Sequence, residues 1–414
     1  MSLLGNFHTL FSKIPLVATI VASMVVALPS FVFFLPLELR AENLVVPAQV
    51  SVRLRPLKGK ISISGMELRI FDQSSAQVLT TRGYDRLHVD YRNSGWQFSD
   101  AATGEVLLKV PGRQIEVSGE TLRVDLRPAP DRIRLVAGER ESLPVNLVGL
   151  LTLEDYVEGV VSAEVPRDWP LEALKAQAVA ARSFTLAKLR ERGERRSSWQ
   201  LEASIMDQVF DHSRRHQMAA RAVRETRGQF LASVSSSTYR AATTHYHSDC
   251  GGQTDEPSDV WGGGENIGTA KDLCPKSART NWRLVTSLGE ISSKLRSESL
   301  ISGSFRVAKL EIEKRSPAGR AQVLRLTDDA GKAIRVTGEK MRSVFGYMNL
   351  RSTLFEINAA SASRIEFSGR GFGHGTGLCQ WGSRTLALNG KSYQEILSHY
   401  YPKLSLSPAH SKAL

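Results

Sequence analysis

The chain has 414 residues, 42% of them hydrophobic, which is enough for a buried core and for more than one domain. Its formal net charge of +12 suits an anionic partner such as a nucleic acid, an acidic lipid surface or a cell-wall polymer. No zinc finger, RNA-recognition signature or dense basic helix is present, so nucleic acid ranks last of the three.

The first predicted element is apolar. Residues 14–37 carry no charge and are about long enough to span a bilayer, with Lys13 before them and Glu38 and Arg40 after. Pro15, Pro29 and Pro36 argue against a plain core helix. Residues 1–41 are expected to be a signal peptide or an N-terminal membrane anchor, with the remainder exported. Residues 45–140 read as a β-rich lead-in. Runs at 49–57, 60–71, 77–80, 87–91 and 121–126 place β-branched and large apolar residues at near-alternate positions, split by Gly, Asp, Asn and Ser. The stretch 127–141 mixes proline and charge and reads as a joint. No catalytic constellation occurs in this part.

The main domain is expected over 145–402, opening with an apolar strand. Glu164 follows, between Ser162-Ala163 and Val165-Pro166. An acid among apolar neighbours is a candidate for a raised pKa, as a general acid needs. The bland alternative is a helix-end or surface glutamate. Pro166 should hold Val165 in an extended backbone, and Pro170 suits the first turn of a helix over 171–190. A second helix is expected over 216–226.

The stretch 244–252 gathers His245, His247 and Cys250 ahead of Gly251-Gly252. Cys250, Cys274 and Cys379 are the three cysteines, too few for a disulfide scaffold. His247 and Cys250, with Cys274 as a third ligand, form a weak metal signal. A Cys250–Cys274 disulfide or buried thiols together outweigh it, so no cofactor is assigned. Beyond lie a helix, paired strands across the turn 316–319, a short helix, and two strands leading into the glycine-rich stretch 369–382. Its glycines bare the backbone around Phe372 and His374, and no phosphate-loop pattern is present. His374 suits either sugar binding or a buried loop-holding role. Trp381 suits sugar stacking or core. Helices are expected from Gln380 to about Asn389 and over 393–401, and the tail 403–414 is polar and reads as disordered.

Several of these stretches together resemble the SpoIID/LytB family, over roughly 145–402. Leu153-Glu154-Asp155-Tyr156, Gly159-Val160-Val161 and Ala163-Glu164-Val165-Pro166 match its first motif, continued from Trp169 through Arg182. His247-Ser248, Gly251-Gly252, Thr254 and Asp259-Val260-Trp261-Gly262 match the middle motif. Gly373-His374-Gly375, Gly377, Gln380-Trp381-Gly382 and His399-Tyr400-Tyr401-Pro402 match the last. The sequence departs from the pattern after Gln208-Val209-Phe210, where Asp211 replaces the usual glycine. Zinc is associated with some sporulation-branch members, but no ligand set is carried over from them here.

The resemblance implies an α+β fold: a mixed β-rich core with several helices, behind a smaller β-rich region and the N-terminal apolar segment. It implies a lytic transglycosylase acting on peptidoglycan glycan strands in the periplasm or cell envelope, with Glu164 as the catalytic residue. Gln177, Arg182, His247, Ser248, Thr254, His374, Gln380 and Trp381 are the expected sugar contacts. The alternatives are a non-catalytic wall-binding enhancer of an amidase and an envelope scaffold. A zinc amidase lacks a clear His/Glu ligand set.

Overall fold

The computed structural model describes residues 49–407 apart from 73–75, 82, 141, 194–197, 236–237, 272–279 and 360–363. The expected leader, Cys274 and the end of the tail lie outside the described residues. Among those described, no helix is long and apolar enough to cross a membrane.

The β-rich expectation for the first part holds, and the fold is mixed α+β. Each run named from the sequence overlaps a strand, with 121–126 turning after Val124, and four further strands occur at Gly95–Asp100, Val106–Pro111, Arg127–Pro128 and Arg132–Val136. The last of these corrects the reading of 127–141 as a joint. Ile133 and Leu135 are buried, and the strand sits between Gln114–Val124 and Val145–Leu151 in one eleven-stranded sheet. Alternation of Ile133 and Leu135 with arginines is the half-buried pattern, which proline and charge on either side had masked.

That sheet serves two cores. Val50–Leu57 pairs antiparallel with Val145–Leu151. Val50, Val52 and Leu151 pack against the helices, whereas Leu57, Val145 and Leu147 join Trp96, Phe98, Ile61 and Ile63 on the other side.

The expected apolar strand opens the main domain at Val145. It stops at Leu151, and α1 (Leu153–Glu164) begins there. Thr152 caps it by accepting the Asp155 N–H, and the buried Leu153, Tyr156, Val157, Val160 and Val161 follow a helical period. The sequence-level cue was Thr152 followed three residues later by an acid. Pro166 does hold Val165 extended, at φ −125° and ψ 135°. α2 (Leu171–Arg192) then runs through the centre of the domain. Its alanines at 173, 176, 178, 180 and 181 are buried, and their small size lets α1 and the later helices approach it closely. α3 (Gln217–Glu225) packs on α1 and α2, and α4 (Pro257–Trp261) ends at Gly262 in a left-handed conformation.

Between the middle and last motifs lies a module with its own core. Strands Asn281–Ser287, Arg364–Arg370 and Phe355–Ala359 form one sheet and Val307–Arg315, Ala321–Asp328 and Ala333–Thr337 another. α5 (Leu288–Ser297) and α6 (Gly338–Phe345) cover them around Leu324, Met341 and Phe367. After the glycine-rich stretch come α7 (Gln380–Leu388) and α8 (Tyr393–Tyr400), both packed on α2. The tail is ordered at its start, contrary to expectation. Ser405–Leu406 pairs with Leu231–Ser235, and Ser407 exchanges hydrogen bonds with Phe230.

Gly159 shows how tightly α1 is seated. A Cβ there would lie 2.2 Å from the Phe210 ring. Gly159→Ala is expected to destabilise the chain by about 1–3 kcal/mol through overpacking. A lowered midpoint in thermal denaturation checks this, and an unchanged midpoint would mean that Phe210 is free to move aside.

Candidate active site

Glu164 is the last residue of α1, so its carboxylate stands at the negative end of a helix. Burial pushes its pKa above the usual glutamate range. Two groups oppose that shift. The Val209 N–H donates to Oε1 at 3.0 Å, and the Gln380 side chain donates to the carboxylate. Among the described residues no ion pair involves Glu164.

The neighbouring acids are engaged elsewhere. Glu154 makes a bidentate pair with Arg182, Asp155 and Glu158 both bind Arg215, and Asp207 binds Arg192.

A buried polar network positions Val209. Gln208 donates from Nε2 to Thr185 Oγ1 at 2.8 Å and accepts the Tyr246 hydroxyl at 3.0 Å. Phe210 stacks on Tyr156, with centroids 5.4 Å apart. Gln208 and Phe210 thus pin the backbone on both sides of the N–H that reaches Glu164. Burial raises the hydroxyl pKa of Tyr156 and Tyr246, so both stay protonated.

The last motif joins the middle one through a two-residue parallel ladder. Tyr246–His247 pairs with Leu378–Cys379, Tyr246 opposite Leu378 and His247 opposite Cys379. Cys379 caps α7, with its sulfur accepting the Gly382 N–H, and Gln380 follows at the first helical position. Glycine is required nearby at Gly377, whose φ is +70° and whose Cβ would lie 2.0 Å from the His245 carbonyl oxygen.

His374 is committed at both nitrogens. Its Nε2 lies 2.9 Å from the Tyr246 carbonyl and its Nδ1 accepts the Thr376 N–H at 3.1 Å, which fixes one neutral tautomer. Burial and the nearby His247 and His245 hold its pKa well below the ordinary histidine value. His374 therefore holds the loop, the bland alternative that its sequence allowed. His245, between Phe184 and Trp261, is pushed down to about 4 by burial and Lys188.

His247 differs. Its Nδ1 faces the Thr376 carbonyl at 3.1 Å, and its buried Nε2 has no partner. A ring nitrogen of His247 and the sulfurs of Cys250 and Cys379 all lie within 4.8 Å of one another. No disulfide joins the two cysteines. Backbone N–H groups reach both sulfurs: Gly252 to Cys250 at 3.2 Å, and Cys250 and Gly382 to Cys379 at 3.4 Å each. The orphaned imidazole nitrogen, oriented by a carbonyl behind it, fits a zinc ligand, and His with two Cys fits zinc's preferred donors. The sequence reading set His247 beside Cys250 as a weak metal signal, outweighed by other readings, and looked to Cys274 for a third ligand. Cys379, about 130 residues from Cys250 along the chain, takes that place, a juxtaposition that only the ladder creates.

The other expected contacts divide. Gln177, on α2, is buried with Nε2 unpartnered and its Oε1 3.5 Å from Gln380 Nε2. Ser248 lies part-buried beside the Trp381 N–H. Trp381 makes an edge contact with Trp169 at 5.1 Å, and Arg384 lies over both rings. Arg182 is 1% exposed and locked onto Glu154 and the Gln229 carbonyl. Thr254 is wholly buried and its hydroxyl accepts the Ala270 N–H. These last two hold the fold from inside. Sequence reasoning missed Val209 and Tyr246, which act through a backbone N–H and a buried network. It also passed over Trp261, which is 44% exposed with its ring 5.1 Å from His374.

The site is thus a buried carboxylate at the end of a helix, reached by Gln380 from beyond the glycine-rich loop, on a mixed α+β scaffold. The family model described as Stage II sporulation protein matches residues 142–232, and a domain of unknown function (DUF8618) matches 273–377, which contains most of the inserted module. Over residues 142–232 the chain is similar to the SpoIID/LytB family, and relatives named Stage II sporulation protein D and amidase enhancer match it more widely. It is 28% identical over 258 residues to an uncharacterized protein of Brachyspira hyodysenteriae, covering 62% of this chain and 66% of that one. It is 26% identical to the Bacillus subtilis amidase enhancer, over 61% of this chain and 40% of that one. It is 26% identical to the Bacillus subtilis Stage II sporulation protein D, over 71% and 87%. The chain thus spans just under two thirds of the Brachyspira relative and less than half of the enhancer.

Two predictions follow from this geometry. Because the native state binds the Glu164 proton more tightly than the unfolded chain, the buried carboxylate destabilises the fold as pH rises. The cost is absent below the unfolded value of about 4.3, grows up to the native value and is constant above it. Glu164→Gln keeps an acceptor for the Val209 N–H. It should raise the melting temperature at neutral pH and melt with wild type near pH 4; a variant less stable at neutral pH would contradict this.

The metal reading is tested by elemental analysis of chain purified without chelator. About one zinc per chain is expected, lost in Cys250→Ser and Cys379→Ser. A wild-type chain that takes up no added zinc would overturn it.

Proposed function

We propose that this chain is an exported lytic transglycosylase that cleaves peptidoglycan glycan strands, with Glu164 as its single acid and base. The observation that carries the reading is the state of that carboxylate: buried, raised in pKa, and without an ion-pair partner among the described residues. Ordinary glycoside hydrolysis needs two carboxylates, one of them to activate a water or attack the sugar. Here the other acids of α1 are tied to arginines.

One carboxyl group suffices if the substrate supplies its own nucleophile. Protonated Glu164 gives its proton to the glycosidic oxygen as the bond to the anomeric carbon breaks. The carboxylate left behind takes the proton of the muramyl 6-hydroxyl, whose oxygen closes on that carbon. The product is a 1,6-anhydro end, no water is consumed, and Glu164 returns to its starting state. Burial favours the first half by holding the proton on the acid to higher pH than an exposed glutamate would. The Val209 N–H and Gln380 favour the second by steadying the carboxylate.

Gln177, with its unpartnered amide, and Trp381 beside Gln380 are the proposed sugar contacts nearest the acid, with Ser248 next to them. His247, Cys250 and Cys379 would hold a zinc ion, which would supply fixed positive charge and tie the middle and last motifs together. The uncharged stretch 14–37 supports export, and the basic net charge supports an anionic wall surface. A second reading is a wall-binding enhancer of a separate amidase, favoured by the name of the Bacillus subtilis relative. It needs wall binding but not the proton chemistry.

Digestion of purified peptidoglycan, intact and stripped of peptides, separates the two. Mass spectrometry is expected to find anhydromuramyl ends with the wild-type chain and a loss of at least about a hundredfold with Glu164→Gln, the scale of general acid–base catalysis. Wall binding without cleavage of either substrate would sink the enzymatic reading.

A further inference from the structure

Arg384 is the one charged residue of α7. Its guanidinium carbon lies 6.0 Å from the centre of the Trp169 ring and 5.6 Å from that of Trp381. Trp169 is 7% exposed, whereas Trp381 and Arg384 are half-buried. Two indoles hold an arginine by cation–π attraction but do not neutralise it. Among the described residues no carboxylate pairs with Arg384, and its guanidinium makes no hydrogen bond. Arg182, Arg192 and Arg215, by contrast, each hold a carboxylate.

The place of Arg384 in the fold ties it to the acid. It lies one turn after Gln380 on the same face of α7, and Gln380 reaches the Glu164 carboxylate. Helical side chains lean toward the N-terminus, and Arg384 does so, over Trp381 three residues back. Its second indole, Trp169, comes from the turn 166–169 that follows Glu164, and the Trp169 N–H closes that turn on the Pro166 carbonyl. The guanidinium is thus held at the Glu164 end of α7 by both segments that build the site.

We propose that Arg384 is a specificity-determining residue: it binds a carboxylate carried by the muramyl sugar that Glu164 acts on. Naming that sugar rests on the glycan-cleaving reading. An arginine already stacked in place presents a planar fork, which suits a carboxylate better than a mobile lysine would. Two sources share this chemistry. One is the lactyl group of a muramyl sugar that bears no peptide; the other is a stem peptide where one is attached. A guanidinium that only covered the two indoles would be indifferent to both.

Isothermal titration calorimetry on the full-length chain tests this, with Glu164→Gln as the background so that ligand is bound without turnover. The ligands are tetrasaccharides of alternating N-acetylglucosamine and N-acetylmuramic acid in three forms: lactyl groups free, lactyl groups capped as methylamides, and lactyl groups bearing stem peptides. At least one acidic form is expected to bind roughly tenfold or more tighter than the methylamide, the scale of a charge-assisted bond, and the tighter acid names the source. Adding Arg384→Gln should bring that ratio near one, and Arg384→Lys should leave it between the two. Loss of stacking alone would weaken all three forms alike and leave the ratio in place.

Equal affinity for the acidic and methylamide forms would overturn the proposal. So would a preference that survives Arg384→Gln, or a chain that binds none of the three. Cleavage is scored separately with the wild-type chain. A chain that prefers the acid through Arg384 yet cuts no glycan keeps the carboxylate site and loses the enzymatic reading, and a chain that cuts glycan without that preference does the reverse.

Discussion

The site depends on a piece of β-structure only two residues long. Parallel pairing of Tyr246–His247 with Leu378–Cys379 brings together groups that the chain keeps far apart. It sets His247 opposite Cys379, delivers the Tyr246 carbonyl to His374, and starts α7 so that Gln380 reaches Glu164. Two rungs carry little energy by themselves. The isolated bridges Asp249 to Phe372, Asp255 to Thr376 and Ser352 to Gly373 extend the same seam, and the glycines of 371–377 let the strands approach.

Polar groups under that seam have been given fixed roles. His374 has one tautomer because both its nitrogens are bonded, and His247 has one because only its Nδ1 is. Two histidines in one loop system thus differ in kind: one is a strut, and the other presents a lone pair to two sulfurs. Glu164 follows the same economy. One N–H and one amide hold the carboxylate in place without an ion-pair partner among the described residues, so burial still raises its pKa.

Much of this was legible in the sequence where a signal is local. Pro166 and the alanine-rich run after Pro170 marked the extended turn and the central helix. Alternating apolar residues marked most strands of the first sheet. Glu164 stood out by its apolar neighbours, and burial does raise its pKa. The failures were of two kinds. α1 was hidden because β-branched Val157, Val160 and Val161 favour strands, while packing against α2 and the cap at Thr152 decided for a helix. The approach of Cys379 to His247 and Cys250, the Val209 N–H and the internal roles of Arg182 and Thr254 depend on tertiary placement. Arg182 and Thr254 sit in matching motifs because they build the site from behind.

The inserted module enters and leaves through adjacent strands, Asn281 opposite Arg370 and Ser287 opposite Arg364. A segment whose two ends are already neighbours can be lengthened, shortened or exchanged without separating the motifs on either side, because the parent domain sees only a closed loop. This module has not remained a passenger. Arg320, buried within it, crosses back to Asp255 and the Cys250 carbonyl, and Gly375 stays bare to let the guanidinium pass. The graft has therefore become obligate. Cut out at its strands, it would leave a continuous chain but strand a buried aspartate and open the floor beneath the cysteines, so evolution can remodel its outer face far more easily than remove it.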